Sequence, residues 1–381
     1  MSHNKRIAFI VNSVFPYRTS LYEKLYAHQE YELLFFHCIK KNEYGRPTHQ
    51  GELNFPNWPL RNLEGRIGPF EIRWQVNLLQ SLQKWQPDVV IVLGIPSMLV
   101  YWLVMYWARR KNIKTVVWYC GWESQAGKPV SLAIKQGLLQ RFMGLANHIV
   151  TYSTKAKSYL NELGVKSQKI TVSYNGLEID HLLMREKEYL IKGQALREQY
   201  RENGKRIFLY VGGMMAEKQV PLLLAAFQAI DASQRAVLWL VGDGPDMVVI
   251  KRMLEDLNLT EVKLWGRVID DVDVFFAAAD YFVLPGVGGL ALNQALFWGL
   301  PCIVSEADGT EDDLVLDGKT GFRFISKDAR SLQNVLLKCL ELPETTRLAF
   351  GSSGRKLILE RSNVNQMVNT FIETIDHLAA S

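Results

Sequence analysis

The sequence predicts an α/β protein built from two Rossmann-like domains, each a parallel sheet wrapped by helices. Three observations carry that prediction. Short apolar runs recur along the 381 residues, each stopped by Gly, Pro or Asn and followed by a stretch with helical spacing. The pattern opens with the strand Arg6–Asn12 and restarts at Arg206, after a stretch dense in Lys, Arg, Glu and Gln. The length is sufficient for two domains with proper cores.

In chain order, Arg6–Asn12 is the first strand, Ser13–Ser20 a loop and Leu21–His28 a helix. Tyr31–Cys38 is the next strand. Residues 40–70 are polar and carry Pro, Gly and Asn, so they read as a long loop or insertion. Trp74–Trp85 has helical spacing, Asp88–Gly94 is a buried strand, and Ser97–Arg109 is the helix after it. Thr115–Tyr119 ends at Cys120-Gly121-Trp122-Glu123. Ser131–Leu145 is amphipathic, and strand–helix–strand segments follow at His148–Tyr152, Thr154–Leu163 and Lys169–Ser173. These elements form a first domain over 1–185. Leu182–Asn203 reads as a linker helix, a second domain spans 203–360, and 361–381 carries a final helix, Asn363–Leu378.

Within the second domain two strand exits look chemically useful. Strand Arg206–Val211 runs into Gly212-Gly213 and then Glu217-Lys218, with a helix starting near Val220. Strand Tyr281–Leu284 is stopped by Pro285-Gly286, Gly288-Gly289 form a tight loop, and Leu290–Trp298 is helical until Gly299-Leu300-Pro301. Strand, glycine loop and helix N-terminus in succession suit an anion or a polyol, because the amides are free and no Cβ blocks approach.

Composition narrows the class. Apolar content of 48% and charged content of 22% are those of an ordinary globular protein. Cys38, Cys120, Cys302 and Cys339 are far apart, which argues for a reducing compartment and against zinc or a disulfide frame. No signal peptide is expected, and the apolar run Ile95–Ala108 is shorter than the about 20 residues a membrane span needs. Net charge is +10 over residues 1–180 and −5 over the rest. The basic half reads either as facing an anionic neighbour, membrane headgroups or an acidic glycan, or as a solvated face. Tyr101, Trp102, Tyr106 and Trp107 beside Arg109-Arg110-Lys111 suit a membrane interface, though an aromatic-rich helix is more often core.

The segment Tyr281–Phe324 resembles the signature of the large retaining glycosyltransferase family 4 (glycosyl transferase group 1, GT-B fold). Gly299-Leu300-Pro301, Asp308-Gly309-Thr310-Glu311 and Asp317-Gly318-Lys319-Thr320-Gly321-Phe322 carry the likeness, together with Gly212 to Lys218. It is strong from Gly212 to Phe324 and weak before residue 148. The resemblance implies parallel-sheet domains facing a central cleft, with the last helix crossing back to the first domain. It implies transfer of a sugar from a nucleotide-sugar to a glycan or lipid-linked acceptor, retaining and metal-independent, in surface polysaccharide or lipopolysaccharide synthesis. No cofactor beyond that co-substrate and no nucleic acid are expected, and the setting is cytoplasmic or peripheral on the membrane's inner face.

Site residues follow from the same resemblance. Lys218 falls where the family binds the donor diphosphate. Gly212, Gly213, Arg267, Val268, Gly288, Gly289, Leu290 and Gln294 are expected around the donor, with Gln294 on the ribose. Tyr17, Arg18 and Trp122 are expected on the acceptor, and Glu123 near the reacting hydroxyl. The chain departs from the family at four points. Gly286 and Gln294 replace its two glutamates, Gly213 replaces an arginine, and no histidine follows Tyr119. These departures sustain one alternative, a catalytically degenerate scaffold on the same fold. Another activity of the fold, such as an epimerase or hydrolase, wants an acid pair or a histidine, and no convincing pair is present. Asp271-Val272-Asp273 has a metal-binding form but stands at a helix start, where acids suit the dipole, so no metal is expected.

Overall fold

The computed structural model describes residues 4–28, 30–40, 42–43, 46–67, 70–121, 129–200, 202, 204–231, 235–307 and 309–380. Contacts divide the chain into two units: residues 1–174 with 364–381, and residues 175–363.

The first unit is a seven-stranded sheet of β1 (Lys5–Ile10), β2 (Tyr31–Cys38), β3 (Asn57–Leu60), β4 (Val89–Leu93), β5 (Lys114–Tyr119), β6 (His148–Thr151) and β7 (Ile170–Val172). The order is β7-β6-β5-β4-β1-β2-β3, and every pairing is parallel. Central strands are buried on both faces, which is why Ala8-Phe9-Ile10 and Val89–Val92 read as continuous apolar runs instead of alternating ones. Helices α1 (Thr19–Ala27), α2 (Leu78–Trp85), α3 (Leu99–Arg110), α4 (Pro129–Leu145) and α5 (Thr154–Glu162) connect the strands.

The 40–70 stretch is more ordered than a loop. It supplies β3, and an antiparallel hairpin, Asn62–Ile67 with Phe70–Gln75, follows it. Its polar, Gly- and Pro-bearing composition conceals an edge strand and a two-stranded ribbon outside the main sheet, neither of which needs an apolar run. Trp74 accordingly lies in a strand that ends at Gln75, and the helix begins only at Leu78.

The second unit begins with α6 (Asp180–Gln199). Its sheet comprises β8 (Arg206–Val211), β9 (Ala236–Val241), β10 (Val262–Gly266), β11 (Tyr281–Leu284), β12 (Cys302–Val304) and β13 (Gly321–Arg323), ordered β10-β9-β8-β11-β12-β13 and wholly parallel. Around it lie α7 (Val220–Asp231), α8 (Met247–Asp256), α9 (Asp273–Ala278), α10 (Leu290–Phe297), α11 (Thr310–Leu314), α12 (Ala329–Glu341) and α13 (Glu344–Glu360). The helix expected as a linker, α6, is part of this unit. It packs along α9, Arg197 donates to the Ala278 carbonyl at 2.8 Å, and its Tyr189 is buried edge-on to Trp298. A surface dense in charged residues hid that apolar seam.

The last helix, α14 (Val364–Ala380), belongs to the first unit. Met367, Phe371 and Ile375 enter the core beneath β1 and β5, where the Phe371 ring lies 5.5 Å from Phe9 and 5.2 Å from Trp118.

Candidate functional site

In an open parallel sheet, ligands gather at the carboxyl ends of the strands where the chain order reverses. In the second unit that point lies between β8 and β11, since β9 and β10 continue on one side and β12 and β13 on the other. The two glycine loops singled out above leave these two neighbouring strands. Lys218 joins them: its Nζ donates to the carbonyl oxygens of Val287 at 2.7 Å and Gly288 at 2.8 Å. The Val287 amide donates to the Glu217 carbonyl at 3.0 Å.

Gly286 makes this junction feasible. A Cβ there would lie 2.1 Å from the Glu217 carbonyl oxygen and 2.8 Å from the Lys218 carbonyl carbon. The position that the family gives to a glutamate is therefore closed by backbone in this chain. Just beyond it, Gly289 caps α10, is exposed, and has φ 156°, a conformation reserved almost wholly for glycine. The amides at the start of α10 point out of its positive end, and that of Leu292 donates to the Gly289 carbonyl at 3.2 Å.

Around this centre the other expected residues fall at graded distances. Gly212 donates its amide to the Val241 carbonyl at 3.0 Å, and the Gly213 carbonyl accepts from the Tyr210 phenol at 2.9 Å. Burial pushes that phenol's pKa up, which keeps the donor proton in place. Arg267 is exposed just beyond β10, two strands from β8 and so about 10 Å across the sheet at ordinary spacing, while Val268 packs on the core. The structure thus brings Lys218, Gly288, Gly289 and Leu290 together, keeps Gly212 and Gly213 on the adjoining turn, and sets Arg267 at the margin.

Gln294 is held by a side chain of its own unit. Its amide nitrogen donates to Asp273 Oδ1 at 2.6 Å, and the Trp298 indole donates to the same oxygen at 2.7 Å. Asp273, at the start of α9, is buried. Sequence reasoning missed this triad; the only signal was an acid within the helix-start motif Asp271-Val272-Asp273. Asp271 is committed as well, ion-paired to Arg185 at 3.1 Å and Lys192 at 2.6 Å, and the Lys192 hydrogen bond, with Arg185, holds its carboxyl below its ordinary pKa. Among the described residues no group of three His, Cys, Asp or Glu is arranged to hold a metal ion.

In the first unit the order reverses between β1 and β4, and the loop after β1 carries Tyr17 and Arg18. Arg18 folds inward instead of facing out. It is 5% exposed and donates to the Tyr152 phenol at 2.6 Å. Its guanidinium carbon stands 5.0 Å from the ring centroids of Tyr17 and Tyr152 and 5.3 Å from Trp118. A cation among π faces without bulk water is a stable arrangement, so Arg18 positions its loop. Tyr17 is exposed and stacked on Phe15. Trp122 and Glu123 lie outside the described residues.

The comparisons with known proteins meet this geometry at both units. The family model "Glycosyl transferases group 1" matches residues 205–342, and "Glycosyltransferase Family 4" matches residues 28–181. The N-acetyl-alpha-D-glucosaminyl L-malate synthase of Bacillus anthracis is 25% identical over 218 residues, covering 56% of this chain and 55% of that protein. The D-rhamnosyltransferase WbpZ of Pseudomonas aeruginosa is 29% identical over 199 residues, covering 50% and 49%. Across the curated relatives the chain spans 46–62% of their own length. Among solved structures, Anabaena Alr3699/HepE in complex with UDP superposes with a TM-score of 0.74 over 98% of this chain and 100% of that one. The two share 18% sequence identity, so the likeness speaks for the fold. That fold is the two-domain GT-B arrangement of Rossmann-like units.

Proposed function

The chain belongs to the group 1, family 4 glycosyltransferases, and from that premise we propose that it moves a sugar from a nucleotide-sugar to a glycan or lipid-linked acceptor. The observation that carries the reading is the junction of Lys218 with the Gly288 carbonyl at the second unit's switch point. It places a cation, two glycine turns and a helix N-terminus within one socket.

The chemistry follows from charge. As the glycosidic bond to the diphosphate breaks, the leaving nucleoside diphosphate gains negative charge, and groups already aimed at it lower the barrier. Lys218 supplies a full positive charge, and the amides of Gly289 and Leu290 supply the partial charge of the α10 terminus. Arg267 reaches the donor from the margin, with Val268, Gly212 and Gly213 lining the base and phosphate side. Gln294, set by Asp273, meets the ribose. This cationic stabilisation substitutes for a metal ion, and the family likeness supports retention of anomeric configuration. The first unit takes the acceptor at the loop bearing Tyr17, with Trp122 as a further acceptor contact and Glu123 as the group that orients or deprotonates its hydroxyl. Surface polysaccharide or lipopolysaccharide assembly is the setting that the family likeness and the basic first half support.

The acceptor also gives the basic half a role. On α3, Leu99, Leu103 and Tyr106 are exposed at i, i+4 and i+7, and Arg110 continues the stripe. On α4, which packs beside it, Ile134 and Leu138 are exposed and Arg141 continues their stripe. Apolar stripes ending in arginine suit the inner face of an anionic bilayer. No helix of the described residues is long and apolar enough to cross a membrane. Co-sedimentation with phosphatidylglycerol vesicles is expected at low salt and to fall in high salt; binding that ignores lipid charge rejects this part.

A second reading, a catalytically silent scaffold, draws on Gly286 closed by backbone and on Gln294 held by Asp273. The deciding experiment is a thermal-shift screen with uridine and guanosine diphosphates and their sugars, followed by turnover of whichever donor binds. A ligand at 100 times its Kd adds about 2.7 kcal/mol. We expect a shift, and we expect Lys218→Ala to lower kcat by about 10²–10³, as loss of one preorganised charge donor does. A nucleotide that binds without turnover leaves the scaffold standing; no shift with any nucleotide rejects the transferase.

A further inference from the structure

A cavity of about 430 Å³ opens in the first unit between the exit of β2, the edge strand β3 and the segment Thr48–Leu53. Small-ligand sites occupy about 300–1,000 Å³. We propose that this cavity binds a saccharide unit of the acceptor. The word acceptor rests on the transferase reading above; the binding chemistry stands on the cavity's own walls.

Those walls are pinned by polar bonds. The His49 amide donates to the Val14 carbonyl at 2.7 Å, which ties the segment to the loop after β1. Gln50 Nε2 donates to the Lys40 carbonyl at 3.0 Å and to Thr48 Oγ1 at 2.9 Å, and Thr48 Oγ1 itself donates to the Lys40 carbonyl. At the back, His37 is buried with its Nε2 at 3.2 Å from Asn57 Oδ1, while Asn57 Nδ2 donates to the Phe55 carbonyl at 3.0 Å. With the Asn57 oxygen facing the imidazole, Nε2 of His37 is the donor.

This lining selects among ligand classes. Imidazole, carboxamide and hydroxyl groups each donate and accept, as sugar hydroxyls do, and Val14, Leu53 and Pro59 offer apolar surface to a sugar's C–H face. Among the described residues no Phe, Tyr or Trp lines the cavity, so a nucleobase meets only the small imidazole rings of His37 and His49. The ammonium of Lys40 is ion-paired with Glu64, and the Glu52 carboxylate repels an anion, so a phosphate is poorly matched.

The test is saturation-transfer NMR on the full chain with methyl α-glycosides of glucose, galactose, mannose, rhamnose and N-acetylglucosamine. At least one is expected to receive saturation. Asn57→Ala and Gln50→Ala are each expected to weaken that binding about fivefold, the value of one net hydrogen bond, with near-UV circular dichroism intact. Lys218→Ala, in the other unit, leaves it unchanged. Absence of transfer from all five probes overturns the proposal, as does transfer that survives both cavity substitutions, or displacement by inorganic pyrophosphate. The nucleotide thermal shift, run on the same sample, separates the two claims. A nucleotide shift without saccharide binding defeats only the cavity assignment; saccharide binding without a nucleotide shift defeats the transferase reading and leaves a sugar site.

Discussion

At Gly286 a hydrogen atom stands where any side chain would begin 2.1 Å from the Glu217 carbonyl oxygen. Gly286→Ala must push the loop off the Lys218 turn, and overpacking against backbone costs about 1–3 kcal/mol. Urea unfolding is expected to show that loss, together with weakened nucleotide binding. The place of Lys218 at a donor phosphate came from the family likeness; that it follows a strand and paired glycines was legible in the sequence. The orientations of Arg18 and Gln294 were not. Their partners, Tyr152 and Asp273, lie 134 and 21 positions away, and no local pattern encodes an angle toward a distant side chain.

Among the elements, the N-terminus of α13 shows how a helix end ties the second unit together. Glu344 accepts from Arg347 at 2.5 Å and pairs with Arg206 of β8 at 2.8 Å, while Asp280, just before β11, pairs with Arg197 of α6 at 3.1 Å. The Arg347 hydrogen bond, with Arg206, holds the Glu344 carboxyl at about 2 against an ordinary 4.5. A depressed carboxylate stabilises the fold above its unfolded pKa and ceases to do so as pH falls through the folded one. Acid titration of stability is therefore expected to fall more steeply for the wild type than for Glu344→Gln between pH about 4.5 and 2. The carboxylate is half exposed, so 1 M salt is expected to shrink the difference. Doubly buried strands were readable because an apolar run is the direct imprint of burial on both faces. The β3 edge and the hairpin after it were not, since neither requires such a run.

For the molecule as a whole, the excess of positive charge in its first half was countable from composition, and the α3 and α4 stripes give it a place on the surface. That the final helix closes the first unit came from family likeness, because amphipathic spacing alone names no partner. Phe371 carries that closure: it is fully buried and touches Phe9 and Trp118 at once. Phe371→Ala is expected to cost about 3–5 kcal/mol, read by urea unfolding, with loss of near-UV dichroism from the Trp118 environment. The same helix sets a timetable at the ribosome. After residue 174 leaves the exit tunnel, the 189 residues of the second unit must follow before Met367 and Phe371 emerge. At about 5–20 residues per second that wait lasts about 10–40 s. The part of the polypeptide translated first is thus the last to seal, and until then its aromatic interior is bare to whatever chaperone stands by.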